Sequence, residues 1–103
     1  MLKNLKIGAI QVRVEEDHDL YDVTNDGQHR QLWGVFIEQK GLIVLASEAS
    51  QSRKQVTLVH EALHGILNNA NVADQDEEQI TLLAPGIVAL LRDNPKLVKY
   101  LLK

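Results

Sequence analysis

Apolar and polar positions alternate along residues 5–14 (LKIGAIQVRV), with Leu5 and Ile7 on one phase and, after Gly8-Ala9, Ile10, Val12 and Val14 on the other. A period of two carried by β-branched residues specifies a strand, and the slip of phase at Gly8-Ala9 predicts a bulge within it. Residues 15–31 lose that pattern. They are acidic and rich in turn formers, including Glu15-Glu16-Asp17 and Asn25-Asp26-Gly27, which predicts a loop with a short helical piece around Leu20 to Val23. Two short β-favouring runs follow, 33–37 (WGVFI) and 42–46 (LIVLA), joined by Glu38-Gln39-Lys40-Gly41, a suitable four-residue hairpin loop. The second run has no polar position, as in a strand covered on both faces or lying against a helix.

The period then changes to that of a helix. Val56, Val59, Leu63, Ile66 and Leu67 recur at helical spacing, and Ser52 with Gln55 three residues on matches a capping box, so a helix is expected over about 53–69. After a polar connection, Asp74 or Asp76 opens a second helix whose apolar face carries Ile80, Leu83, Ala84, Ile87 and Leu91. Pro85-Gly86 inside it predicts a kink or break. Asn94-Pro95 pairs a capping residue with proline at the first helical position, giving a short terminal helix over 95–102 on which Tyr100 is expected to pack. Trp33 and Phe36 are assigned to the core. The order β, loop, β, β, α, α, α places the chain in the α+β class.

Composition narrows the range of functions. At 103 residues, 45% of them hydrophobic and 24% charged, the chain is expected to form a single folded domain spanning 1–103. The formal charge is -3 and the cations are scattered apart from Lys96, Lys99 and Lys103, so no nucleic-acid partner is expected. No run approaches the ~20 apolar residues of a membrane span and the N-terminus does not lead into a signal-peptide core, so a cytoplasmic location without a membrane partner is expected. The absence of cysteine excludes disulfides and thiolate zinc sites, and any metal must rest on His, Asp and Glu.

His60-Glu61-Ala62-Leu63-His64 is HExxH in the middle of the first predicted helix. Histidines at i and i+4 project from one helical face about one turn apart, which suits two ligands on one ion, and the glutamate between them lies beside the metal as a general base in zinc hydrolases. With four His and seven Glu in the chain, chance would produce the pattern with a probability of roughly 0.01. Catalytic zinc usually takes three protein ligands. The third must come from His18, His29 or a carboxylate, and four acids open the second helix: Asp74, Asp76, Glu77 and Glu78. Glu77 shares the phase of Ile80 and Ala84 and is the better candidate. Glu78 lies nearer the flank, and Asp74 and Asp76 serve equally well as caps.

The segment 55–66 (QVTLVHEALHGI), preceded by the hairpin and followed by Glu77-Glu78-Gln79-Ile80 and Leu91-Arg92-Asp93-Asn94-Pro95, resembles small phage and prophage zincin-like proteins related to the ImmA/IrrE-type metallopeptidases. The resemblance runs from about Trp33 to the C-terminus. It implies a minimal zincin-like domain: a small N-terminal β-sheet packed on the HExxH active-site helix, then a second ligand-bearing helix and a short C-terminal helix. It further implies zinc (Zn2+) held by His60, His64 and Glu77, Glu61 as the catalytic base acting on a zinc-activated water, and a protein or peptide substrate whose peptide bond is hydrolysed. Leu42–Ala46 would then be a candidate for the edge strand along which an extended substrate lies. The alternative is a zinc-stabilised binding or regulatory protein that retains the fold without turnover, an alternative favoured by the shortness of the chain.

Overall fold

A computed structural model describes residues 2–23 and 29–103, with backbone only for 21–23, 29 and 30. Among the described residues six strands and three α-helices follow one another: β1 (Asn4–Ile7), β2 (Ile10–Asp17), β3 (Tyr21–Val23), β4 (His29–Gln31), β5 (Gly34–Ile37), β6 (Leu42–Ala46), α1 (Gln51–Asn69), α2 (Glu77–Asp93) and α3 (Pro95–Leu101). The fold is α+β, a four-stranded mixed sheet with three helices.

The expected bulged strand is a hairpin. β1 and β2 pair antiparallel, with Ile7 opposite Ile10 and Leu5 opposite Val12, around a two-residue turn at Gly8-Ala9. Such a turn sets odd positions of the first strand opposite even positions of the second, which is the phase slip seen in the sequence. Gly8, at φ +60°, supplies the positive dihedral that the primed hairpin turns require at their first central residue. The acidic stretch also departs from expectation. β2 continues to Asp17, and in place of a helical piece at Leu20 to Val23 there is β3, paired antiparallel with β4 as a separate two-stranded ribbon. The middle of that predicted loop, 24–28, lies outside the described residues.

The main sheet has the order β1-β2-β6-β5, with β2 and β6 parallel and the outer pairs antiparallel. All five residues of β6 are buried, as its unbroken apolar run demands. β6 is therefore an interior strand; of the two readings of Leu42–Ala46, the covered strand holds and the substrate-facing edge is corrected, since the edge on this side is β5. Ile7, Val12, Val14, Ile43 and Leu45 form the core, and Leu58 and Ala62 of α1 pack against it with Leu5 and Phe36.

α1 begins two residues earlier than the capping-box pattern suggests. Ser50, extended at ψ 159°, is the cap, its Oγ accepting from Arg53 N at 3.2 Å; Ser52 lies inside the helix. α2 is continuous through Pro85, so the expected break is corrected; Pro85 and Gly86 lie on its exposed side. Of its expected apolar face, Ile80 and Ala84 are buried and Ile87 half-buried, but Leu83 and Leu91 are exposed. Asn94 precedes α3 without capping it, since its side chain donates back to Leu90 O at 2.8 Å. Tyr100, expected to pack, is 71% exposed; α3 packs mainly against α2. Among the described residues no helix is long and apolar enough to cross a membrane.

Candidate metal centre

The two ligand-bearing helices are joined by a tight reversal. α1 closes at Asn69, Asn71 takes a left-handed conformation (φ 62°) that asparagine tolerates better than most residues, and Asp76 caps α2 by accepting from Gln79 N at 3.2 Å. The cap makes Glu77 the first residue of α2, in the turn where the helix dipole favours negative charge. Because α1 and α2 pack side by side, that first residue is brought over the middle of α1.

There the side chains converge. Glu77 Oε1 lies 2.7 Å from His60 Nε2 and Glu77 Oε2 lies 2.8 Å from His64 Nε2. The imidazole centroids are 5.1 Å apart, and one ligand atom from each of the three residues falls within 4.8 Å of the others. Among the described residues this is the group of His, Asp and Glu side chains arranged so that it can hold an ion. The donor set, two imidazole nitrogens and a carboxylate, suits zinc and several other divalent metals. Tetrahedral coordination at ~2.0–2.1 Å sets ligand atoms about 3.3 Å apart. The 2.7 and 2.8 Å contacts are tighter than that, so Glu77 must withdraw by roughly half an ångström for an ion to enter. At 63% side-chain exposure Glu77 is free to do so, whereas the histidines are held at 18% and 22%.

Glu61 stands beside this cluster, its Oε2 4.0 Å from His60 Nε2. Burial raises its carboxyl above the ordinary value of 4.5. The positive fields of His60 and His64 oppose the rise, the Glu77 charge adds to it, and the backbone N–H of Phe36 donates to the carboxylate and lowers it. That donor is available because β5 is an edge. Ala46 N bonds Trp33 O, so by alternation Val35 and Ile37 face β6 while the amides of Gly34 and Phe36 turn outward, toward α1.

A second set of contacts supports His64 from behind. Its Nδ1 lies 2.5 Å from Gln75 Oε1, and the Gln75 amide nitrogen donates to Val72 O at 3.0 Å and to Asn68 Oδ1. Two clefts open from the centre. One of about 290 Å³ is walled by Trp33, Arg53, Thr57 and Thr81, and the other of about 430 Å³ by Leu32, Phe36, Asn68 and Gln75; both reach Gly34, His60, Glu61 and Glu77.

The structure thus brings His60, Glu61, His64 and Glu77 together and leaves the other candidates apart. Glu78 is exposed and outside the cluster, and Asp76 is occupied as a cap. Asp74 is exposed, and His18 is exposed beside Asp17 at 3.6 Å. The His29 side chain lies outside the described residues. Trp33, assigned to the core from sequence, is 39% exposed at the lip of the smaller cleft with the Arg53 guanidinium 4.7 Å from its ring centroid. It precedes the edge strand and so escapes burial; Phe36, inside that strand, packs on the core as expected. Sequence reasoning did not find Gln75, Asn68 or the Phe36 amide. Asn68 alone carried a signal, four residues after His64 and on the same helical face. No protein-family model, curated protein or solved structure matches the chain.

Proposed function

We propose that this protein is a small zinc-dependent peptidase of the zincin-like type, resembling the phage and prophage members related to the ImmA/IrrE-type metallopeptidases, and that it hydrolyses a peptide bond in a protein substrate. The observation that carries the reading is the meeting of His60, His64 and Glu77 around one point with the half-buried Glu61 carboxylate alongside. His60, His64 and Glu77 would hold the ion. When bound, zinc supplies Lewis acidity, which polarises a carbonyl and acidifies water.

The remaining chemistry belongs to the chain. Glu61 accepts the proton of the attacking water and returns it to the departing amine, a role suited to a carboxylate whose proton affinity is raised by burial. The Phe36 N–H holds the carboxylate in place for both transfers. An extended substrate lies along the outward edge of β5, between the two clefts, where the Gly34 amide and the Phe36 carbonyl face away from β6.

One observation favours a second reading, a zinc-stabilised binding protein without turnover: Leu82, Leu83 and Leu90 on α2, Leu101 at the end of α3 and Leu102 just after it are all more than half exposed. The two readings separate at Glu61. Zinc-loaded protein is incubated with denatured protein substrates and new termini are read by mass spectrometry. Cleavage is expected from the wild type and not from Glu61→Gln, with equal zinc content by elemental analysis. A zinc-loaded wild type that cleaves nothing beyond the Glu61→Gln background overturns the peptidase reading.

A further inference from the structure

Gln75 lies in the connection between α1 and α2, touches no candidate ligand atom facing the ion, and is nevertheless bonded at both ends of its amide. The orientation of that amide is determined by its neighbours. Val72 O is a backbone carbonyl and can only accept, so the group 3.0 Å from it must be the Gln75 nitrogen. The Gln75 oxygen then faces His64 Nδ1, and since a carbonyl oxygen can only accept, His64 must carry a proton on Nδ1. Glu77 Oε2, 2.8 Å from His64 Nε2, also only accepts, so without an ion Nε2 shares a proton with it; an ion would take that proton's place on the Nε2 lone pair while the Nδ1 proton stays on the Gln75 oxygen.

We propose that Gln75, braced by Asn68 and the Val72 carbonyl, is the positioning residue that fixes the ring orientation and tautomer of His64 so that Nε2 is presented to the metal. The inference rests on the metal centre and not on turnover. Asn68 is four residues after His64 on α1, so the brace spans one turn of the same helix. Gln75 is two residues before Glu77, so the same bonds set where the carboxylate ligand begins. A ligating histidine commonly donates its second ring N–H to such a partner, and loss of the partner typically lowers metal affinity or activity by 10–100-fold.

The test measures zinc affinity by competition with a chromophoric chelator, without substrate. Gln75→Leu, which is close in size and offers no acceptor, is expected to lose 10–100-fold in affinity. Asn68→Asp, which keeps an oxygen to accept from the Gln75 amide, is expected to retain affinity within roughly threefold. Long-range proton–nitrogen NMR of the zinc-loaded wild type should show His64 protonated at Nδ1 and metal-shifted at Nε2, a readout that does not depend on the variants folding. The proposal is overturned by a His64 protonated at Nε2 in the zinc-loaded protein, by Gln75→Leu binding zinc as tightly as the wild type, or by Asn68→Asp losing as much as Gln75→Leu. A wild type that takes up no zinc overturns the metal centre and this inference together; zinc uptake with any of the other three results overturns this inference alone.

Discussion

Replacing Gly34 by alanine tests how closely β5 must approach α1 for the centre to exist. A Cβ at this position would lie 2.5 Å from Thr57 Cγ2, 3.2 Å from Val44 O and 3.3 Å from Leu45 Cδ2. Carbon atoms in contact prefer about 3.5–4.0 Å, so the Thr57 methyl alone demands a shift of roughly 1 Å. Thr57 has little freedom to give way, because a β-branched side chain on a helix has few χ1 states. Gly34 has an ordinary strand φ, so alanine meets no backbone strain, and its lower unfolded-state entropy contributes about 0.4–1 kcal/mol in favour of folding. Overpacking of this kind costs about 1–3 kcal/mol and outweighs it. The net expectation is a loss of ~1–2 kcal/mol, which at this size lowers Tm by roughly 4–16 °C. The assay is urea and thermal unfolding of the metal-free protein followed by far-UV circular dichroism, with Thr57→Ala and the double variant completing a cycle. Removing the Thr57 methyl should recover most of the loss, a coupling of about 1–2 kcal/mol. A Gly34→Ala protein as stable as the wild type, or a loss untouched by Thr57→Ala, refutes the reasoning.

Three further outcomes are expected. In the metal-free protein the raised Glu61 carboxyl favours the protonated folded state, so its contribution to stability is full below the ordinary value of 4.5 and is lost as pH rises through the folded value. Glu61→Gln should therefore be more stable than the wild type above neutrality and approach it below about pH 4.5; a wild type that is the more stable in alkaline buffer contradicts this. Glu77→Ala should weaken zinc binding by more than the roughly 10–100-fold that follows loss of an outer partner, while Glu78→Ala leaves it within about twofold, and a chelator titration showing the reverse order would reassign the ligand. Ser50→Ala should lower stability by about 1 kcal/mol and Ser52→Ala by less than about 0.5, read from urea midpoints, because only Ser50 caps α1.

Local signals made much of this protein legible from its sequence. Helical spacing gave α1 and α2 to within a few residues, and the HExxH spacing together with the shared phase of Glu77, Ile80 and Ala84 named the four residues that meet. The errors arose where two local readings were equally good or where the deciding partner was distant. Ser50 and Ser52 both precede the same apolar period, and only the extended backbone at Ser50 selects between them. The phase slip at Gly8-Ala9 fits a bulge or a turn until β1 is seen to pair with β2. The parallel pairing of β2 with β6, which makes β6 an interior strand, joins segments separated by the whole ribbon and hairpin region, and nothing near either strand encodes it. At the site, the Phe36 N–H reaches Glu61 only because β5 ends the sheet, and Gln75 was one polar residue among several in a connection.

Trp33 is the one tryptophan in the chain, and it stands at the lip of the smaller cleft with a cation above its ring. Its emission therefore reports on the mouth of the centre and hardly at all on the core. Entry of an ion, withdrawal of Glu77 or seating of a peptide along β5, as proposed, would each change the polarity and quenching around that indole, and intrinsic fluorescence would then follow occupancy without a label. The same placement makes tryptophan fluorescence a poor measure of global unfolding, since the indole is already partly in water when the protein is folded.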